Sequence, residues 1–205
     1  MPGPIPPDRS SGYEQRAREF MAIRGRSDIG AATVREWAKE LPPGASVLDL
    51  GCGPGVPIAD VLIDAGFRVH GVDASPTLIE AFRTRFPGAT AECAAVEDVE
   101  LAGGSFDAAV AWGLIFLLEP EAQALLIRKV ARALEDGGRF LMTAPWQTGQ
   151  WPDVLTGRTA RSLGREAYVR LLRDAGLLLV GETDDEGENH YYFAAKAGPS
   201  RRSQL

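Results

Sequence analysis

The chain has 205 residues, 28 acidic against 22 basic side chains, a formal charge of −6 and two cysteines. That length suits one domain with a well-buried core. The acidic balance argues against a nucleic-acid surface, and Cys52 and Cys93 supply neither a disulfide framework nor zinc-ligand spacing, so no metal site is expected. No apolar run approaches the length of a membrane span, and the first residues are proline-rich rather than basic and apolar. No membrane partner is therefore expected, and the expected compartment is the cytoplasm. Residues 1–12 and 198–205 hold too little apolar surface to bury and are expected as flexible tails around a single domain, 13–197. Two helices, 13–24 and 28–41, form an N-terminal cap. Strands then alternate with helices: strand 47–51 and helix 56–65; strand 68–73 and a helix to 86, with Ser75 as N-cap and Pro76 in the first turn; strand 89–94; strand 106–113 and a helix over 121–135 stopping at Gly137-Gly138; strand 139–144. An irregular loop, 145–164, leads to helix 165–175, strand 177–182 and a last strand, 190–197. This alternation predicts an α/β fold with a doubly wound, Rossmann-like, seven-stranded and mostly parallel sheet. The last two strands are joined by a polar turn alone, so the final strand must run antiparallel in an edge hairpin.

The most specific signal is VLDLGCGPGVP at 47–57. Val47, Leu48 and Leu50 read as a buried parallel strand that carries Asp49 near its end. Gly51, Gly53 and Gly55 let the backbone turn sharply and approach a ligand closely, and the following helix points its N-terminus at the same place. A dinucleotide fingerprint needs Gly or Ala at its sixth position, where this chain has Val56, which disfavours a nicotinamide oxidoreductase. Asp73 closes the second strand about 20 residues beyond the glycines, where an acid can accept hydrogen bonds from both ribose hydroxyls of an adenosine.

The GxGxG turn behind an apolar–apolar–Asp–apolar strand resembles motif I of the class I S-adenosylmethionine (SAM) methyltransferases, and the resemblance covers nearly the whole chain from Tyr13. It implies SAM as cofactor, with S-adenosylhomocysteine as product. In that family the acid and the glycine backbone, here Asp49, Gly51, Cys52 and Gly53, hold the methionine end. Asp73 takes the ribose, and Ala74 lines the adenine side. Relatives usually carry an Asp past the third strand; here that position is Ala95, so adenine falls to backbone groups near Val96, or to Glu97 or Asp98, with Glu97 the choice made here. At the end of strand four, Ala111 matches the backbone that accepts the methionine ammonium, and Trp112 faces the transferable methyl. An Asp/Asn-Pro-Pro-Tyr motif is absent there, which argues against a nucleic-acid base as acceptor.

The first helix resembles the cap of small-molecule methyltransferases, which implies cofactor contacts from Tyr13 and from Arg24, with Arg26 as the alternative, to the SAM carboxylate. The loop 145–164 follows strand five on the carboxyl edge, so Trp146, Trp151 and Asp153 are candidate substrate contacts. His190 opens the edge hairpin and is the candidate general base. The expected function is methyl transfer to an oxygen or nitrogen of a small molecule, by a monomer or homodimer. The alternatives are an RNA or protein methyltransferase, or a SAM-binding protein without transferase activity.

Overall fold

The computed structural model describes residues 8–101 and 103–198; residues 1–7 and 199–205 of the two expected tails lie outside the described residues. The elements in chain order are α1 (Tyr13–Arg24), α2 (Ala31–Ala38), β1 (Ser46–Leu50), α3 (Ile58–Asp64), β2 (Arg68–Asp73), α4 (Pro76–Arg85), β3 (Thr90–Cys93) and β4 (Phe106–Ala111). After a 3-10 turn at Ile115–Leu117 come α5 (Pro120–Ala133), β5 (Leu134–Thr143), β6 (Thr148–Pro152), β7 (Thr159–Leu163), α6 (Arg165–Asp174), β8 (Leu177–Asp184) and β9 (His190–Lys196). Seven strands form one sheet in the order β3-β2-β1-β4-β5-β9-β8. β1 to β5 pair in parallel, while β9 runs antiparallel to both β5 and β8. The strand order reverses between β1 and β4, and the carboxyl ends at such a switch point form the crevice where open α/β sheets bind ligands.

The sheet is covered on both faces, which is why its central strands are continuously apolar rather than alternating. Successive residues leave for opposite layers: Val47, Val69 and Val110 pack with α2, α3 and α4 through Trp37, Leu62 and Phe82, whereas Leu48, Ala109 and Phe140 pack with α5 and α6 through Ile127, Val130 and Leu172. α4 starts as its sequence demands, with the Ser75 side chain accepting from Leu78 N–H and Pro76 in the first turn.

Three local expectations change. The stretch 145–164 is not irregular: β6 and β7 form a separate antiparallel hairpin, whose turn is held by Asp153 accepting from the N–H groups of Leu155 and Thr156 at 3.2 and 2.8 Å. α5 ends at Ala133, before Gly137-Gly138, because Leu134 already pairs with Phe106 in the sheet; the glycines lie in β5, where the register slips before Arg139 meets Ala108. Residues 8–12, expected in the N-terminal tail, are tied down instead: Asp8 accepts from Ser10 N–H (2.9 Å), Gly12 N–H (3.1 Å) and Arg158 of β6–β7's turn (2.7 Å).

The cap is latched to the body by Glu14. Its carboxylate accepts from Thr77 N–H at 3.1 Å, Thr77 Oγ1 at 2.7 Å and Ser75 Oγ, and so satisfies the start of α4 from outside. Burial pushes this carboxyl up, but the hydrogen bonds from Ser75 and Thr77 outweigh it and hold it below its ordinary value. The stability it contributes is therefore present above the unfolded value and is lost as pH falls through the lowered folded one. Glu14→Ala should cost about 1.5–3 kcal/mol at pH 7, read as a lower unfolding temperature, and the gap to the wild type should close as the pH is taken below about 4.

Candidate functional site

The carboxyl ends of β1, β2 and β4 and the glycine turn between β1 and α3 enclose a pocket roofed by α1. The turn is built so that main chain reaches the pocket. Gly53 has φ +54°, and a Cβ there would press to 3.1 Å from the Phe20 ring of the cap; its N–H donates to Asp73 Oδ2 at 2.9 Å. Gly55, with φ +84°, lies so close to Phe86 that a Cβ would stand 2.4 Å from the ring. Both positions need glycine for conformation and for space.

Two carboxylates, from β1 and the end of β2, meet beside this turn. Asp73 at the end of β2 accepts from Gly53 N–H and from Ser75 N–H (2.8 Å) and opens onto the pocket. Burial raises its pKa against the pull of those two backbone bonds. Asp49, 2% exposed, has one oxygen, Oδ2, without a hydrogen-bond partner among the described residues. Burial, reinforced by the charge of Asp73, pushes Asp49 up to about 7. An orphaned, desolvated carboxylate facing a pocket is costly unless a cation or donor meets it there.

The pocket also holds a cation. Arg24 of α1 lies over the Trp112 ring, 4.2 Å from its centroid, and has no ion-pair partner among the described residues. Burial lowers its pKa, opposed by Tyr13, Tyr191 and Asp185 nearby. Trp112 is itself fixed: its Nε1–H donates to Tyr191 Oη at 2.6 Å, and Tyr191 donates to Asp185 Oδ2 at 2.7 Å. Gly30 allows this contact, since a Cβ there would stand 2.7 Å from both Trp112 Nε1 and Tyr191 Oη. The turn of the β8–β9 hairpin thus steers the plane on which Arg24 rests.

The pocket gathers Tyr13, Arg24, Asp49, Gly51, Cys52, Gly53, Asp73, Ala74, Val96, Glu97 and Trp112 in its lining. Ala111 is the exception among the expected cofactor contacts: its side chain is buried in the core behind β4 and does not line the pocket. Arg26, the alternative to Arg24, is exposed and outside the pocket. The Cys52 thiol is pushed up, first by burial and then by Asp49 and Asp73, which makes it a poor nucleophile and a small packing residue against Gly71.

The expected acceptor-side residues are not in the pocket lining. Trp146 is exposed, Trp151 packs against Phe116 at 5.8 Å, and Asp153 reaches the pocket only through Tyr13, whose hydroxyl donates to it at 3.2 Å. His190 lies in the hairpin with Nδ1 2.7 Å from Asp184 and Nε2 3.3 Å from Glu182, so carboxylates face both ring nitrogens. Contacts missing from the sequence reading come from the 3-10 turn after β4, with Leu114, Leu117 and Leu118, and from Arg9, Ser10 and Ser11. Those three belong to a segment with no helical or strand pattern to announce it.

Residues 47–138 match the family model described as "Methyltransferase domain". Over these residues the chain carries a methyltransferase domain. Methyltransferase GfsG of Streptomyces halstedii is 30% identical over 160 residues, covering 71% of this chain and 57% of that protein. Among solved structures, the 1,6-didemethyltoxoflavin-N1-methyltransferase of Burkholderia thailandensis, with 1,6-didemethyltoxoflavin and S-adenosylhomocysteine bound, superposes with a TM-score of 0.71 at 19% identity, over 96% of this chain and 93% of that one. The cyclase SpnF superposes at 0.77 with 17% identity, over 96% and 99%. The methyltransferase domain here spans from 33% to 57% of the length of the curated relatives it matches.

The raised Asp49 has a sign that can be checked in the ligand-free domain. The folded state favours its neutral form, so its contribution to stability is fully present below the unfolded value and is lost as pH rises through about 7. Asp49→Asn should match the wild type in unfolding temperature near pH 4 and exceed it by a margin that grows up to pH 7 and then levels off.

Proposed function

We propose that this chain transfers a methyl group from SAM to an oxygen or nitrogen of a small-molecule acceptor. One observation carries the reading: a single pocket holds a buried carboxylate with an unpartnered oxygen, Asp49, and a half-buried guanidinium without an ion-pair partner among the described residues, Arg24. An amino-acid moiety with both an ammonium and a carboxylate matches that pair, and Arg offers the carboxylate a bidentate fork. Asp73, fixed by two backbone N–H bonds, keeps lone pairs for the ribose hydroxyls. When bound, SAM supplies a sulfonium-activated methyl group.

The chain's own part is to bind, orient and exclude water. Trp112, Leu114 and Leu117 with Tyr13 and Phe20 of the cap make the wall around the space between Arg24 and the glycine turn. Alignment of an acceptor along the line of attack in such an enclosure supplies much of the rate without a general base. This reading assigns no proton transfer to His190, whose ring nitrogens already face Asp184 and Glu182. The small-molecule acceptor is supported by the net charge of −6, by the cap over the pocket and by the 1,6-didemethyltoxoflavin bound in the Burkholderia thailandensis structure. No helix among the described residues is long and apolar enough to cross a membrane.

Calorimetric titration with S-adenosylhomocysteine tests the cofactor. Asp73→Ala should weaken binding at least about tenfold while leaving the circular dichroism spectrum unchanged, the loss expected for charge-assisted bonds to two hydroxyls. Unchanged affinity would sink the ribose assignment. A methyl-transfer assay with hydroxylated and amino heterocycles then separates an enzyme, which yields methylated product, from a protein that binds SAM without transferring its methyl.

A further inference from the structure

The geometry points to Lys129 as a positioning residue for the adenine end of the pocket, acting through the main chain of residues 96–99; this rests on the cofactor reading above. Lys129 lies on α5, on the far side of the loop that follows β3. Its ammonium donates to three carbonyls of that loop, Val96 at 3.3 Å, Glu97 at 2.6 Å and Val99 at 2.8 Å. An ammonium has three protons, and here each has an acceptor on one short segment. The segment is also closed on itself, with Asp98 N–H and Val99 N–H both donating to Ala95 O at 2.9 and 3.0 Å. Val99 is buried in the core beneath it.

The opposite side of the same loop is pocket wall: Ala95, Val96 and Glu97 line it. Position 95 offers no carboxylate to an exocyclic amine, since it is a buried alanine. Recognition of a purine edge, with its ring-nitrogen acceptor beside an amino donor, is thereby left largely to main-chain groups. The N–H groups of Val96 and Glu97 have no acceptor among the described residues. The carbonyls of the same two residues are drawn away by Lys129, so the loop presents donors to the pocket and keeps acceptors behind. A charge-assisted clamp on three carbonyls fixes where those donors stand. Lys129 touches neither pocket nor ligand; its influence passes through the backbone.

The test compares S-adenosylhomocysteine with S-inosylhomocysteine, whose base carries a proton on N1 and cannot accept from an N–H there. Both are titrated calorimetrically into the wild type, Lys129→Met, Lys129→Gln and Lys129→Arg, with thermal unfolding followed for each. The wild type should prefer the adenosine compound by about tenfold or more. Lys129→Met and Lys129→Gln should weaken the adenosine compound by about fivefold while changing the inosine compound less than twofold, so the preference collapses; Lys129→Arg should restore it. An equal loss on both compounds, or no loss on either, in a variant that still unfolds cooperatively overturns the inference. A wild type that binds neither compound overturns the cofactor reading, and this inference with it.

Discussion

Asp49 is buried two residues before a glycine turn and beside a second carboxylate, and one of its oxygens has no partner. Nothing in the fold's own stability calls for that arrangement, because a buried unpaired carboxylate next to another acid opposes folding. The surrounding structure is organised around maintaining it. β1 and β2 deliver Asp49 and Asp73 in parallel register, and Gly53 turns its N–H onto Asp73, so the second acid is satisfied by backbone while the first is not. The cap closes over both and brings Arg24 as the opposite charge, resting on Trp112 rather than on an acid. The acids and the guanidinium are thus held in place before any ligand enters, which is preorganisation in its geometric sense.

Separate polar devices hold the lining in place, each through a residue outside it. Glu14 latches α1 to the start of α4. Tyr191 and Asp185 of the terminal hairpin orient Trp112, and Lys129 of α5 clamps the loop beyond β3. Asp153 ties Tyr13 of the cap to the β6–β7 hairpin. These bonds tie the N-terminal cap, the inserted hairpin and the C-terminal hairpin to one pocket, so each can alter ligand affinity without touching the ligand.

The parts legible in the sequence are those whose physics is local. A glycine turn between an apolar strand and a helix, with an acid before it and another at the next strand end, fixes its own geometry, and Asp49, Gly53 and Asp73 fall where their spacing puts them. Arg24 and Tyr13 were reachable because α1 is short and precedes the first strand. The rest depends on long-range contacts that no spacing announces. Lys129 looks like one more solvated cation on α5, Glu14 like a surface acid in a helix's first turn, and Tyr191 like an ordinary strand aromatic. The hairpin in 145–164 was hidden because β6 is exposed almost throughout and shows no inside–outside alternation. Within β4 the Ala111 side chain turns to the core, and Trp112, the next residue, lines the pocket.

The central claim is that Asp49 is kept neutral by burial and becomes charged to meet a cation. Proton release on binding measures it directly. S-adenosylhomocysteine is titrated at pH 6.5 in two buffers of different ionisation enthalpy, and the slope of apparent heat against that enthalpy counts protons exchanged. The account predicts release of most of one proton in the wild type and of close to none in Asp49→Asn, because a group with a value of about 7 is largely protonated at that pH before the ammonium arrives. Binding without proton release in the wild type, or the same release in both proteins, would contradict it.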